Sequence, residues 1–282
     1  MKSLSPLRYP GGKAKLYDYV CKLFEKNNLK NITYVELFAG GAGLAIGLLL
    51  SNKVKNIVIN DIDYCIFCFW KCVVDNTQEL CDRIKKCNIT VDEHNRQKKI
   101  YQDPKAYSEI EVAFATLFLN RTHRSGILNG GIIGGKNQSG KYKMDCRFNK
   151  DDIIQRICDI AAYKEHIIVT NFDAIDFIKT QKSILRKKCF FYIDPPYVVK
   201  GGDLYKNAFL ENDHIILSET IKTKLRCRKW IMTYDNNELI ENLYKSNRII
   251  KFKISYTAQN KKKGEELMIF SKSIQIPDCE IL

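Results

Sequence analysis

A chain of 282 residues can bury a large core and allows one or two domains. With 45% hydrophobic and 28% charged residues it is composed like an ordinary globular protein, but its net charge of +14 favours a polyanionic partner, nucleic acid before a membrane surface. No stretch reaches the roughly 18 apolar residues that span a bilayer, since the longest run, Leu44 to Leu50, is short and broken by Gly47. The first residues, Met1 to Pro6, lack the apolar core of a signal peptide. Eleven scattered cysteines suit reduced thiols, so a cytoplasmic protein is expected.

Strand and helix patterns alternate through both ends of the chain, which predicts an α/β class with a doubly wound, mostly parallel sheet. Residues 13–28 read as a helix and 32–37 as a strand, followed by a glycine-rich turn and a helix from about Leu44 to Asn52. Ile57-Val58-Ile59 is the next strand, closing at Asn60-Asp61, with a helix from Asp63 onward. Cys65, Cys68 and Cys72 on that helix recur at helical spacing among Ile66, Phe67, Phe69 and Trp70, with no His nearby, so they read as core residues and no metal site is expected. From about Glu79 to Glu165 the alternation stops. Helical segments near Leu80–Cys87 and Tyr107–Leu119 lead into a glycine-rich, basic stretch from Asn120 to Lys150, too long and irregular for a compact domain unless it is functional. Residues 79–165 therefore read as an inserted, mainly helical subdomain, with 1–78 and 166–282 as the main domain. Strands at Ile167–Thr170, Cys189–Ile193 and Trp230–Thr233 follow. The tail reads as two strands, Arg248–Tyr256 and Glu266–Lys272, joined by the basic turn Lys261-Lys262-Lys263-Gly264.

Four residues that follow the strand Cys189–Ile193, Asp194-Pro195-Pro196-Tyr197, are the most informative. Two prolines cannot donate to a ladder, and the first pushes Asp194 into an extended conformation. This leaves a carboxylate, free carbonyls and an aromatic ring on a stiff loop at the carboxyl end of a strand, where open α/β sheets bind ligands. Such a loop can grip a flat ring bearing an amino group. The turn Phe38-Ala39-Gly40-Gly41-Ala42-Gly43 also joins a strand to a helix, and Asp61 ends the next strand, as a ribose diol requires. The spacing is neither GxGxxG nor a P-loop. Near the N-terminus, Arg8-Tyr9-Pro10-Gly11-Gly12-Lys13 sets an aromatic and a lysine around a Gly-Gly turn.

Taken with Asn120-Arg121-Thr122, Asn171-Phe172-Asp173 and Glu266-Leu267, these segments resemble, in order and spacing and over nearly the whole chain, the Dam-type adenine DNA methyltransferases, whose cofactor motifs precede the target-recognition region and the Asp-Pro-Pro-Tyr. The resemblance implies S-adenosylmethionine as cofactor, double-stranded DNA as partner and a restriction-modification setting, with a monomer expected. It implies that Tyr9, Lys13, Phe38, Gly40 and Gly43 line the cofactor pocket, that Asp61 accepts from the ribose hydroxyls, and that Asp173 meets the cofactor's adenine, although Asp173 also suits a helix N-cap. Asp194 and the Pro195 carbonyl are then expected to accept from the amino group of a flipped-out adenine, with Pro196 stiffening the loop and Tyr197 stacking on the base. In the insertion, Asn120, Arg121, Arg124, Lys136, Lys141, Lys143 and Arg147 are the expected DNA contacts, because Arg and Lys hold phosphates while Arg and Asn read base edges. Relatives often carry Asn where this chain has His123. Tyr205 and Lys206 are further candidates for the DNA face. A loop of this kind can hold any exocyclic amine, so transfer to cytosine or to RNA, or an inactive DNA-binding relative, are the competing readings.

Overall fold

The computed structural model describes residues 4–9, 13–185, 188–198, 209–256 and 262–282. Pro10, Gly11, Gly12, Tyr205, Lys206 and Lys261 lie outside them. Among the described residues seven strands form one sheet: β1 (Thr33–Glu36), β2 (Asn56–Asn60), β3 (Ile167–Thr170), β4 (Cys189–Ile193), β5 (Lys229–Asp235), β6 (Arg248–Tyr256) and β7 (Lys262–Phe270). Their order is β3-β2-β1-β4-β5-β7-β6. The first five run parallel, and β7 pairs antiparallel with both β5 and β6. The sheet is thus doubly wound and mostly parallel, as the alternating pattern predicts.

Period-two side chains sort the core into two layers. Tyr34, Phe190, Tyr192 and Ile231 face one layer, while Val35, Phe191, Ile193 and Met232 face the other. The first layer carries α1 (Tyr17–Lys26), α2 (Gly43–Leu50) and α3 (Tyr64–Asp75), on which Cys65, Cys68 and Cys72 are buried in the core. The long insertion adds α4 (Thr77–Lys86), α5 (Val91–Gln102), α6 (Glu109–Thr122) and α7 (Lys150–Ala161) to this side, with α6 packed on α3. The opposite layer is covered by α8 (Ala174–Thr180), a single turn α9 (Lys182–Leu185), α10 (Glu211–Lys224) and α11 (Glu238–Leu243).

Two helices of the insertion run where no helix is expected. In α5 the buried positions include His94 and Gln97, so no apolar stripe marks it; its signature is the cap, where Thr90 Oγ1 accepts from Glu93 N at 3.2 Å. In α7 the cap is Asn149, accepting from Asp152 N at 3.1 Å, and Ile153, Ile157 and Ile160 form the buried face at helical spacing. Helix α6 also extends to Thr122, burying Asn120 and Arg121 in its last turn. The basic stretch therefore begins inside a helix.

The strand order reverses between β1 and β4. At that switch point the carboxyl ends of two neighbouring strands open a crevice, which is where ligands bind in open α/β sheets. The turn after β1 and the loop after β4 both emerge there.

Candidate active site

A cavity of about 500 Å³ occupies the crevice, a size suited to a small-molecule ligand. Its lining includes Tyr9, Lys13, Phe38, Gly43, Asp61 and Asp194. At its centre is a buried ionic network. Lys13, only 7% exposed, sends Nζ to Asp194 Oδ2 at 2.9 Å and to Tyr197 Oη at 2.9 Å, with Glu266 Oε1 at 4.0 Å. Burial works against the ammonium charge, but Asp194 and Glu266 more than reverse it and hold Lys13 above the usual lysine value. Thr233 donates to Asp194 Oδ1 at 2.6 Å and contacts Tyr192 Oη at 2.7 Å. Each oxygen of Asp194 is thus held by a separate element, Lys13 of the N-terminal segment from one side and strand β5 from the other. The carboxylate is fixed before any ligand arrives.

Tyr197 is mostly buried. It is 9% exposed, its ring lies 6.4 Å from that of Tyr234, and its hydroxyl donates to Glu266 Oε1 at 2.6 Å. The polar tip of a buried tyrosine needs a partner, and here it has found an ionic one.

The turn after β1 is shaped by close approach. Gly40 sits at φ +47°, and a Cβ there would lie 2.5 Å from the Tyr9 ring. Its amide donates to Asp61 Oδ2 at 2.7 Å, and its carbonyl accepts from Trp70 Nε1 at 2.9 Å. Asp61 Oδ1 accepts from Asp63 N at 2.9 Å. Burial, aided by Asp63, pushes the Asp61 carboxyl up to about 7. Glu36, at the end of β1, accepts from Tyr34 Oη and Ala45 N and is pushed by burial to about 8. Two acids inside this crevice therefore ionise near neutrality, and a bound group that donates hydrogen bonds would stabilise their charged forms. The Gly40→Ala variant is expected to bind small ligands in this crevice at least about tenfold more weakly, because the Cβ displaces Tyr9 and strains a left-handed backbone. Calorimetric titration with S-adenosylhomocysteine measures this, and unaltered affinity would remove the close-approach argument.

Asp173 stands apart from the cavity lining. Its Oδ1 accepts from Ile175 N at 2.8 Å and Asp176 N at 3.2 Å, which makes it the N-cap of α8. Buried Asn60 joins the strand ends instead, donating to Leu37 O and Phe172 O and accepting from Thr170 Oγ1 and Phe172 N.

The insertion's candidates divide into two groups. Arg124, Lys136, Lys141, Lys143 and Arg147 are exposed. Asn120 is fully buried, its amide donating to Arg8 O at 2.7 Å and Gly126 O at 2.9 Å while its oxygen accepts from Arg8 N at 2.7 Å. That is a correction: with donors and acceptor spent on backbone, Asn120 ties the N-terminal segment to the loop and has no free edge for DNA. Gly126 shows how close these segments lie, since at φ +77° its missing Cβ would meet Arg8 O at 2.2 Å. Arg121 is also buried, at 8% exposure, and is a wall of the cavity rather than of an outer surface.

His123 is placed by the structure. Its Nδ1 donates to Ile127 O at 3.1 Å, so its Nε2 carries the lone pair that accepts from His94 Nε2 at 2.7 Å. The arrangement requires a neutral His123, and burial depresses both rings, His123 to about 4. A histidine depressed in the folded state contributes stability that is complete above its unfolded value of about 6.5 and is lost as pH falls towards 4. The loss reaches on the order of 3 kcal/mol. Thermal melts across that window are expected to fall more steeply for the wild type than for His123→Asn; parallel curves would exclude the pair as the cause.

The comparisons agree with this geometry. A family model described as D12 class N6 adenine-specific DNA methyltransferase matches residues 9–258. The chain is 26% identical over 218 residues to the type II methyltransferase M.CviBI of Paramecium bursaria Chlorella virus NC1A, covering 75% of this chain and 76% of that protein. It is 23% identical over 208 residues to the type II methyltransferase M.MjaIII of Methanocaldococcus jannaschii, covering 68% of each. Against the modification methylase StsI of Streptococcus sanguinis it is 26% identical over 209 residues, 70% of this chain and 29% of that protein. The match spans the β1 turn, Asp61, the insertion and the loop after β4, and the chain belongs to the D12 class of N6 adenine-specific DNA methyltransferases.

Proposed function

We propose that this chain is a site-specific modification enzyme that moves a methyl group from S-adenosylmethionine to the amino nitrogen of an adenine turned out of double-stranded DNA. The observation that carries the reading is the fixed Asp194 carboxylate, held by Lys13 and Thr233 in the lining of a nucleoside-sized crevice. The crevice fits the cofactor on two counts: Gly40 and Gly41 let the Tyr9 ring lie directly on the turn as an aromatic part of the lining, and Asp61 offers a carboxylate at the end of the neighbouring strand. Tyr9, Lys13, Phe38, Gly43 and Asp61 would hold it. When bound, it supplies a methyl group on a sulfonium, already activated for displacement.

The protein's own task is orientation and electrostatics. The amino nitrogen of adenine is a poor nucleophile because its lone pair is delocalised into the ring. Accepting its two N–H groups at Asp194 and the Pro195 carbonyl favours a pyramidal nitrogen with the lone pair directed away from the ring. Positive charge then develops on nitrogen beside the prepositioned Asp194. No base needs to act first, and the proton leaves after transfer.

Residues 1–78 and 166–282, which contain every strand among the described residues, are proposed as the catalytic part, with 79–165 as the recognition part. The eleven cysteines, none of them in a disulfide among the described residues, support a cytoplasmic setting. Arg124, Lys136, Lys141, Lys143 and Arg147 are proposed to hold the duplex, an assignment supported by their exposure on one basic loop. Neutralising Lys141 and Lys143 should flatten the salt dependence of DNA binding, read from Kd against ionic strength, by about 0.9 log units for each phosphate no longer neutralised. An unchanged slope would put both lysines off the DNA. The reading as a whole is tested by incubating the protein with cofactor and unmethylated genomic DNA and mapping modified bases. Adenines modified within one short sequence are expected; scattered or absent modification would remove site specificity.

A further inference from the structure

The same cavity has a second wall that the methyl-transfer chemistry leaves unused. The N-terminal segment, the end of α6, the end of the basic loop and α7 bring Arg8, Arg121, Arg147 and Arg156 to it. Asp152 stands against this group, its Oδ1 accepting from Arg156 Nη2 at 3.1 Å and its Oδ2 forming an ion pair with Arg156 Nε at 2.9 Å. Further hydrogen bonds of the group go to uncharged carbonyls, Arg8 Nη1 to His123 O at 3.3 Å, Arg156 Nη1 to Ser5 O at 3.2 Å and Arg121 Nη1 to Arg147 O at 3.4 Å. Arg121 is more than nine-tenths buried, at 8% exposure, and its Nε has no hydrogen-bond partner among the described residues. A buried guanidinium with an unpaired N–H is costly, since it has lost water without replacing it. Like charges aggravate this: burial, Arg156 and Arg8 push Arg121 down to about 10, and burial and Arg147 lower Arg8. An oxyanion entering the cavity would answer both the unpaired donor and the repulsion.

We propose that this arginine wall binds one phosphodiester of the DNA strand that carries the target adenine, so that the backbone is gripped inside the catalytic cavity as well as on the outer loop. The proposal rests on the DNA methyltransferase reading above. Guanidinium forks pair with the oxygens of a phosphate or of a carboxylate alike. A phosphodiester suits the site better than a single carboxylate of a small ligand because the wall is continuous, through exposed Arg147, with the basic loop on which Arg124, Lys141 and Lys143 lie, and so with the path a duplex would follow. A nucleotide that enters the cavity brings its own flanking phosphates, and the arginines would hold one of them while Asp194 meets the base.

The test uses the whole protein and duplexes containing the mapped site, each with one uncharged methylphosphonate replacing a phosphate beside the target adenine. Wild type should lose about tenfold in affinity at one such position and little at the others. Arg121→Met should bind the unmodified duplex about tenfold more weakly and should no longer distinguish that methylphosphonate. Because Arg121 is buried, the exposed Arg147→Ala provides a second variant with little risk to folding, and its discrimination should also shrink. Titration of both variants with S-adenosylhomocysteine alone should give wild-type affinity. Full discrimination retained in both variants overturns the proposal, and so does loss of affinity for the small ligand with DNA discrimination intact, which would assign the wall to a carboxylate. Either result leaves adenine methylation standing if the wild type still methylates the unmodified duplex.

Discussion

Replacing Asp194 by alanine is expected to lower the methylation rate by about 10³-fold or more while DNA affinity stays within about threefold of wild type. The size follows from what the carboxylate does. It is a preorganised partner for charge that develops at the reacting nitrogen, and removal of one such partner in other enzymes costs about 10²–10³ in rate. Here the same change also strips Lys13 of its 2.9 Å partner and leaves Thr233 Oγ1 without the acceptor it has at 2.6 Å. DNA contacts on the outer loop are remote from these bonds, so gel-shift affinity and single-turnover methylation should separate. Asp194→Asn keeps the shape and one acceptor and should retain more activity than alanine. A wild-type rate in Asp194→Ala would remove the loop after β4 from the chemistry.

Lys13→Met is the second large effect, and it acts on stability as well as rate. Methionine fills similar space but removes the cation that Glu266, fully buried, and Asp194 share. Deleting one member of a buried ion pair costs about 3–5 kcal/mol, because the remaining charge is uncompensated. For a chain of this size that corresponds to a fall in Tm of about 10 °C. Adding Glu266→Gln should recover part of the loss, since the double variant no longer buries that carboxylate, and the two substitutions should fail to add by about 1 kcal/mol or more. Strict additivity in denaturant melts would mean that Lys13 and Glu266 are not coupled. The rate should fall in the single variant too, because Asp194 loses the contact that fixes Oδ2.

Much of this organisation is legible in the sequence, and the exceptions have causes. Strands β3 and β4 fall at the expected bounds because each is a short run of apolar, β-branched or aromatic residues with clear stops. Lys13, Asp61 and Asp194 reach one cavity because the turn after β1 and the loop after β4 flank the switch point, which the alternating pattern already implies. Helix α5 escapes a periodicity argument because His94 and Gln97 fill positions where a hydrophobic stripe would be sought. Asn120 reads as a surface contact because polarity cannot reveal that its amide closes on the backbone of Arg8, 112 residues away in sequence. Thr233 looks like one more strand residue until β5 pairs with β4 and brings it to Asp194. The arginine wall is hidden for the same reason: Arg8 and Arg156 meet Arg121 only after α7 folds back on the N-terminal segment, as the bond from Arg156 to Ser5 O records. Local rules find elements and loop chemistry, whereas long-range hydrogen bonds decide which polar residues are spent on the fold.

The central claim is that the fixed Asp194 carboxylate directs methylation to the amino group of adenine in DNA. It is tested most directly by incubating wild-type protein and Asp194→Ala with cofactor and unmethylated plasmid, digesting the DNA to nucleosides and separating them by mass spectrometry. The account predicts N6-methyladenine as the one new methylated nucleoside with wild type, and none with the variant. N4-methylcytosine in its place, or equal N6-methyladenine from both proteins, would contradict it.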